Sequence, residues 1–295
     1  MRHRSPHILP ILATLAGVAA LSLMDAFMKG ASLAIGAYSA SLLRSLIGAA
    51  IAAPLWVGAG ARWPDRAVLK LHLLRGIVSA FMALTFFFAL TKLRLAEAIA
   101  ISFVAPLIAL YLAHVLLGET IRRIAIVGSI LGFAGTLVII GGRVGRDTFD
   151  ADIAMGLFSI LVSAMLYAWN FVIIRQQSRV AGPLEVATFH SGVGGAIMLV
   201  AAPFFLVLPD WAVLGDIAVA SVLTVFGAMA IAWAYARAET QVLVPLEYSG
   251  FLWATLFGWL FFAEEVTATT LLGTSLIVLG CWLGTRRGRP LPESS

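Results

Sequence analysis

The chain has 295 residues, a formal net charge of +5, 61% hydrophobic residues and only 12% charged residues. Soluble domains contain about 45–50% apolar and about 25% charged residues, so this composition, with a mean hydropathy of +0.99, excludes a soluble globular protein. The single cysteine, Cys281, leaves no partner for an internal disulfide or for a cysteine-based metal site.

Ten apolar stretches follow one another along the chain, and each is long enough to cross the hydrocarbon core of a bilayer as a helix of about 20 residues. The first stretch has no cleavage site after it, so we expect it to be a retained span. The predicted spans are 8–28, 37–57, 69–91, 96–117 and 124–141 in the first half, and 153–174, 184–208, 217–236, 242–263 and 267–284 in the second half. The sequence therefore predicts an all-α integral membrane protein with ten transmembrane helices.

The second half of the chain repeats the first half at a constant offset of 145 residues. The identical pairs are Phe81 with Phe226, Ala83 with Ala228, Ala89 with Ala234, Leu107 with Leu252, Ala109 with Ala254, Glu119 with Glu264, Gly128 with Gly273, Leu131 with Leu276, and Gly135 with Gly280. Because each copy holds five spans, the second copy would cross the membrane in the opposite sense. This predicts two inverted five-helix repeats, over residues 1–145 and 146–295, with a substrate site between them near mid-bilayer.

The positive charges near the ends of the spans predict an orientation. With the N-terminus inside, fourteen Lys and Arg residues fall on the cytoplasmic side and five on the other side. Excess Lys and Arg mark the cytoplasmic side, so we expect both termini in the cytoplasm of a multi-pass protein of the bacterial inner membrane. The basic residues lie at span ends and form no continuous patch, which argues against a nucleic-acid partner.

Each copy closes with a short acidic turn followed by a glycine-rich last span. The turns are Leu117-Gly118-Glu119-Thr120 and Phe262-Ala263-Glu264-Glu265. With these paired turns, the chain resembles the EamA-type carriers of the drug/metabolite transporter superfamily. The segment Val244-Pro245-Leu246-Glu247-Tyr248-Ser249 is further similar to bacterial amino-acid exporters of the YddG type. This resemblance implies export of aromatic and other neutral amino acids.

The resemblance also implies that the third, fourth, eighth and ninth helices line a central path. Aromatic side chains within or near these spans would then give the path an aromatic wall suited to an uncharged or zwitterionic substrate. Core packing or lipid contact is the alternative for each of them. The predicted substrate-binding residues are Phe81, Phe103, Trp169, Asn170, Tyr248, Trp253 and Asp25.

Ionisable groups inside the spans are costly and therefore mark candidate functional positions. Asp25 either pairs with Lys29 one helical turn later or faces the cavity, because its counterpart in the second copy, Asn170, is also polar. Arg44 and His190 occupy near-equivalent positions, where snorkelling or a structural hydrogen bond is the simpler interpretation. Glu119 and Glu264 precede helices, where a carboxylate stabilises the positive end of the dipole, and we leave them outside the substrate site.

The sequence contains no His-x-x-His, no P-loop and no paired cysteines, so we expect neither an enzyme nor a metal or cofactor site. The predicted function is a secondary transporter that exports small metabolites by alternating access, with amino acids as the predicted cargo. The alternatives are a multidrug or nucleotide-linked metabolite exporter of the same superfamily and, in a different class, a channel. The expected partners are the substrate and the lipid bilayer, and the protein is expected to be a monomer or a weak homodimer.

Overall fold

The computed structural model describes residues 8–105, 108, 111–112, 115, 123–144, 150–177, 180–235, 246 and 249–285. The regular elements of this described part are ten helices, as follows. They are α1 (Ile8–Gly58), α2 (Arg66–Lys92), α3 (Leu95–Ser102), α4 (Arg123–Val144), α5 (Ala151–Gln177), α6 (Pro183–Leu199), α7 (Ala202–Phe205), α8 (Trp211–Tyr235), α9 (Gly250–Phe262) and α10 (Ala268–Thr285). Each of the ten predicted spans overlaps one of these helices.

Length and apolar composition suit several helices for crossing a membrane. Four contain a span-length apolar segment, namely Ile8–Gly58, Arg66–Lys92, Ala151–Asn170 and Trp211–Ile231. The shorter apolar helical segments are Ile126–Gly142, Leu184–Leu199, Gly250–Phe262 and Ala268–Gly280. The described residues are therefore those of an all-helical, multi-pass membrane protein.

Helix α1 contains two membrane-spanning segments separated by a break at Gly36. Its 51 residues would extend about 77 Å as one straight helix, far more than the ~30 Å of a hydrocarbon core. Gly36 has φ 81° and ψ 150°, a conformation that L-residues with a Cβ rarely adopt. Asp25 and Arg44, on either side of the break, lie close enough to interact electrostatically. The chain therefore folds back at Gly36.

The predicted loop over residues 29–36 was wrong, because all of it except Gly36 is helical. The first predicted span ends directly before Lys29. The Lys29 side chain is instead buried and bound by other parts of the protein, so the helix can continue past it. The segment that follows is small and apolar, and Ala31 and Ile35 are buried.

The seventh predicted span, 184–208, is also shorter in the structure, where α6 ends at Leu199. A proline ring clashes with the carbonyl four residues before it and offers no N–H. Pro203 stands four residues after Leu199 and is the second residue of the single turn of α7. Beyond it, Phe204 and Leu208 are exposed at the surface.

Aspartates fix the starts of three long helices. Asp65 accepts hydrogen bonds from the N–H groups of Ala67 and Val68, both at 2.9 Å, at the start of α2. Asp150 and Asp210 accept one N–H each at the starts of α5 and α8, at 2.9 and 2.8 Å. Each carboxylate satisfies backbone donors that a helix leaves unpaired at its first turn.

Glycines allow close packing between helices of the two halves. A Cβ on Gly17 in α1 would lie 3.0 Å from the carbonyl oxygen of Gly227 in α8. A Cβ on Gly280 in α10 would lie 2.8 Å from the amide nitrogen of Gly132 in α4. Small residues permit such backbone approach where lipid provides no hydrophobic drive between helices. The glycines of the fifth and tenth predicted spans therefore lie where α4 and α10 meet.

Candidate functional site

A chain of hydrogen bonds joins buried and half-buried polar side chains of α2, α5 and α6, and we call it the polar chain. Glu185 Oε1 lies 2.8 Å from His72 Nε2, and His72 Nδ1 lies 2.6 Å from Gln177 Nε2. Arg75 Nη1 donates to Gln177 Oε1 at 2.6 Å, and Arg75 Nε donates to Asn170 Oδ1 at 3.4 Å. Buried polar groups require such partners, so the polar chain fixes the orientation of each member.

The donors of the polar chain fix the tautomer of His72. Because Arg75 donates to the oxygen of Gln177, the amide nitrogen of Gln177 faces His72 and donates to Nδ1. An Nδ1 that accepts a hydrogen bond carries no proton, so the ring proton is on Nε2 and is donated to Glu185. The His72 ring also stacks on Phe189, with ring centroids 4.4 Å apart.

Asp25, Arg44 and His190 lie beside Arg75 of the polar chain, and we call these four side chains the charged quartet. Arg44 interacts electrostatically with Asp25, and His190 with both arginines. Arg44 Nε and His190 Nδ1 are buried and have no hydrogen-bond partner among the described residues. The Arg44 guanidinium also lies over the Phe87 ring, 5.4 Å from its centroid.

Small residues of α6 bring the members of the quartet together. A Cβ on Gly194 would lie 3.8 Å from Ser45 Oγ in α1 and 4.0 Å from the carbonyl oxygen of Gly76 in α2. The residues Ser45 and Gly76 directly follow Arg44 and Arg75 in the chain, and His190 lies one helical turn before Gly194. Close packing of α6 against α1 and α2 therefore places the side chains of Arg44, Arg75 and His190 at one level.

An apolar cluster and a cavity follow the charged quartet along the same helices. Leu42, Ala80 and Met198 are buried against one another. Beyond them lies a cavity of about 520 Å³, whose wall includes Ile35, Tyr38, Thr85, Phe88, Ser159 and Phe205. The hydroxyl of Tyr38 donates to the carbonyl oxygen of Met198, so Tyr38 joins the cavity wall to the apolar cluster.

Ion pairs connect loops and helix ends beyond the cavity. The ammonium of Lys29 donates to the carbonyl oxygen of Leu93 at 2.7 Å and is paired with Glu264. Glu264 Oε2 accepts the N–H of Leu95 at 2.7 Å, at the start of α3. Lys92 pairs with Asp152 at 2.7 Å. We call this region the Lys29 end of the protein.

The structure brings together only part of the predicted substrate site. Asp25 belongs to the charged quartet, and the buried Asn170 accepts from Arg75 and Ser79. Phe103 lies beside Gly250, whose Cβ would be 3.9 Å from its ring. Trp253 stacks on Phe257, with ring centroids 6.1 Å apart.

Two further predicted residues have exposed side chains in the described structure. Trp169 and Phe81 are 40% and 52% exposed. The wall of the cavity contains none of the predicted site residues that are described. Tyr248 lies outside the described residues, as does Glu119.

The sequence interpretation missed His72, Arg75, Gln177 and Glu185. In the sequence, Arg75 is one of the basic residues near span ends that predict the orientation. Spacing was the available signal, because His72, Arg75 and Ser79 share one face of a helix, and Asn170 and Gln177 are two turns apart on another.

The described residues offer no group of three or more His, Cys, Asp or Glu side chains that could hold a metal ion. The polar side chains of the site are arginines, histidines, amides and the carboxylates of Asp25 and Glu185, in an apolar surrounding. Such an arrangement can bind and orient a small polar molecule.

Comparisons with known proteins agree with a transporter. The profile of the EamA-like transporter family matches residues 8–141 and 154–286. The pseudopaline exporter CntI of Pseudomonas aeruginosa (strain UCBPP-PA14) is 28% identical over 275 residues, covering 92% of this chain and 93% of that protein. The aromatic amino acid exporter YddG of Ancylobacter novellus is 32% identical over 185 residues, covering 59% of this chain and 61% of that protein.

Further matches extend the range of cargo among similar proteins. The riboflavin transporter of Brucella anthropi is 24% identical over 235 residues, covering 76% of this chain and 79% of that protein. A solved crystal structure with 21% identity shares the fold, with a TM-score of 0.63 over 92% of this chain and 96% of that one. The family profile confirms the resemblance seen in the sequence, and the chain belongs to the EamA-like transporter family.

Proposed function

We propose that this protein is a secondary exporter of amino acids, aromatic ones included, which works by alternating access between two inverted five-helix halves. The observation that carries the proposal is reciprocal packing, in which the first helix of each copy packs on the third helix of the other copy. The first segment of α1 packs on α8 through Gly17 and Gly227, and α2 packs on α5, where Ser163 donates to the carbonyl oxygen of Met82 at 3.0 Å. At the offset of 145 residues, α8 corresponds to α2 and α5 to the first segment of α1.

Reciprocal packing supports inverted repeats because the first helix of each copy contacts the third helix of the other. The second segment of α1 likewise packs on its counterpart α6, where a Cβ on Gly48 would lie 3.0 Å from Ser191 Oγ. A substrate between two such halves could be reached from one side or the other as they rock. In this proposal residues 1–145 and 146–295 are the moving halves.

The charged quartet supports amino acids as cargo. It offers both positive groups, on Arg44 and Arg75, and a negative group, on Asp25, and a zwitterion can use both. The cavity supplies apolar and aromatic wall, including Tyr38 and Phe88. The named cargo of the YddG relative is aromatic amino acids, and the names of two relatives as exporters support the outward direction.

The positive charges of the loops support an inner-membrane location with both termini in the cytoplasm. In this orientation the Lys29 end faces outward. The polar chain, at the opposite ends of α2 and α5, faces the cytoplasm. We propose that the protein works as a monomer or a weak homodimer.

Uptake into proteoliposomes tests this proposal. Labelled phenylalanine, leucine and threonine would be compared with a cationic dye, a nucleotide sugar and riboflavin, using protein-free liposomes as the control. We expect amino acid uptake that accelerates when unlabelled amino acid is present on the opposite side, because an alternating-access carrier exchanges its cargo. Uptake confined to the dye, the nucleotide sugar or riboflavin would contradict the amino acid proposal, and uptake without acceleration would favour a channel.

A further inference from the structure

The charged quartet carries an excess of positive charge in an apolar surrounding. Arg44 and Arg75 each carry a positive charge, because arginines stay protonated in proteins. Asp25 is the acidic side chain that interacts with Arg44. An uncompensated charge within a membrane span is costly. The quartet is therefore suited to receive one negative charge from outside the protein.

The quartet also has an unpaired hydrogen-bond donor, which suits a negatively charged ligand as the excess positive charge does. Arg44 Nε is a donor without a partner among the described residues, and it is buried from solvent. Arg75 is held in place by Gln177 and Asn170, so its guanidinium is oriented before any ligand arrives. Two guanidinium groups at one level match the two oxygens of a carboxylate, since each can donate in a planar fork.

The side chains around the two arginines show which other groups a ligand would meet. His190 interacts electrostatically with both arginines, and its Nδ1 is buried without a partner in the described structure. Phe87 lies under the Arg44 guanidinium and stabilises its position by a cation–π contact. The nearby apolar cluster of Leu42, Ala80 and Met198 would face the carbon skeleton of a bound molecule.

We infer that Arg44 and Arg75, with His190 beside them, bind the carboxylate of the transported molecule. This inference rests on the proposed export of amino acids and names the group by which they are held. Asp25 neutralises part of the positive charge while the site is empty. Cargo that lacks a carboxylate, such as an amine of the same size, would not be held.

Two analogues of phenylalanine test the site by thermal unfolding of the purified full chain in detergent. 3-Phenylpropionate keeps the ring and the carboxylate, whereas phenethylamine keeps the ring and the amine. A ligand that binds the native state raises its unfolding temperature. We expect 3-phenylpropionate to raise the unfolding midpoint of the wild-type protein and phenethylamine to leave it unchanged. Equal stabilisation by both, or none by 3-phenylpropionate, would overturn the carboxylate site.

Variants locate the site within the protein. Because charge-assisted hydrogen bonds are the strong ones, Arg44→Gln should weaken the effective affinity for 3-phenylpropionate by about tenfold or more. The matched control is Arg66→Gln, at the exposed start of α2, which should bind as the wild type does. Unchanged affinity in Arg44→Gln would overturn the assignment, and the comparison of the two analogues on wild-type protein needs no variant to fold.

The two proposals can fail separately. Stabilisation by 3-phenylpropionate without uptake of any amino acid into liposomes would contradict the export of amino acids and leave the carboxylate site in place. Uptake of phenylalanine that phenethylamine inhibits as strongly as 3-phenylpropionate does would support export and overturn the site.

Discussion

The ammonium of Lys29 and the carboxylate of Glu264 form an ion pair across 235 positions of the chain. Their side chains are only 6% and 14% exposed. The pair joins the first membrane-spanning segment to the connection between α9 and α10, and Glu264 also binds the first N–H of α3. Three parts of the chain are thus tied together by one carboxylate at the Lys29 end.

Glu264→Gln should reduce stability more than transport. The amide can still accept from Leu95, but the charge of Lys29 would remain buried without its counter-ion, and breaking a buried pair costs about 3–5 kcal/mol. We expect a lower unfolding temperature and lower yield in detergent, with transport per inserted molecule within a few-fold of the parent. The control is the exposed neighbour, Glu265→Gln, which should unfold as the parent does. A hundredfold loss of transport with normal insertion would show instead that Glu264 takes part in coupling or binding.

Glycine-to-alanine variants test the packing of α4 on α10. A Cβ on Gly135 would lie 2.7 Å from Ile277 Cγ1, and backbone atoms of α10 are also close. Overpacking of this kind costs about 1–3 kcal/mol, so Gly135→Ala should lower the unfolding temperature. Gly141→Ala, six residues later on α4, adds a Cβ into open space and should not. Equal unfolding temperatures would show that the two helices can separate without cost.

Trp169→Ala should weaken the handling of aromatic substrates more than Trp56→Ala or Trp282→Ala. Trp169 precedes Asn170, a member of the polar chain, whereas Trp56 packs edge-on against Phe189 near the end of α1. Losing ring contact of about 0.5–1.5 kcal/mol beyond the lost apolar area should raise the apparent KM about threefold to tenfold.

The measurement for Trp169 is uptake of phenylalanine and threonine into liposomes with equal amounts of each variant. The effect should be larger for phenylalanine because threonine has no ring. If the three alanine variants behave alike with both substrates, Trp169 does not contact the cargo and its exposed ring faces lipid.

Reporter fusions test the orientation. Fusions after Ser178 and Ser295 should both report the cytoplasm, and a fusion after Asp150 should report the other side, because fourteen of nineteen flanking Lys and Arg residues lie on the predicted cytoplasmic side. Opposite results for the two cytoplasmic positions would contradict an even number of spans.

The sequence predicted the helices well because a span is a local property of composition. The ends of the helices were harder to predict, because they depend on contacts with distant residues or on the ring of one proline. Lys29 looked like a loop residue until its partners Leu93 and Glu264 were known. The apolar residues around Pro203 extend the predicted span to residue 208, although this proline stops α6 at Leu199.

The candidate site was predictable only where polarity inside a span was the signal. Asp25 and Asn170 were found in this way. Arg75 and His72 were not, because they lie near a span end and their partner Gln177 is more than a hundred residues away. Only the packing of α2 on α5 shows that these side chains satisfy each other.

Gln177→Leu should destabilise the protein because Gln177 serves two partners at once. Leucine would leave Arg75 Nη1 without an acceptor and His72 Nδ1 without a donor, where now the distances are 2.6 Å to each. An unsatisfied buried polar group costs about 1–3 kcal/mol, and more when it is charged. Gln176→Leu is the matched control, since the neighbouring Gln176 is exposed while Gln177 is buried. Gln177→Glu should lie between the two, because its carboxylate still accepts from Arg75 but cannot donate to His72. Thermal unfolding of the three variants in detergent gives the order, and if Gln177→Leu unfolds at the temperature of Gln176→Leu, the polar chain does not stabilise the packing of α2 on α5.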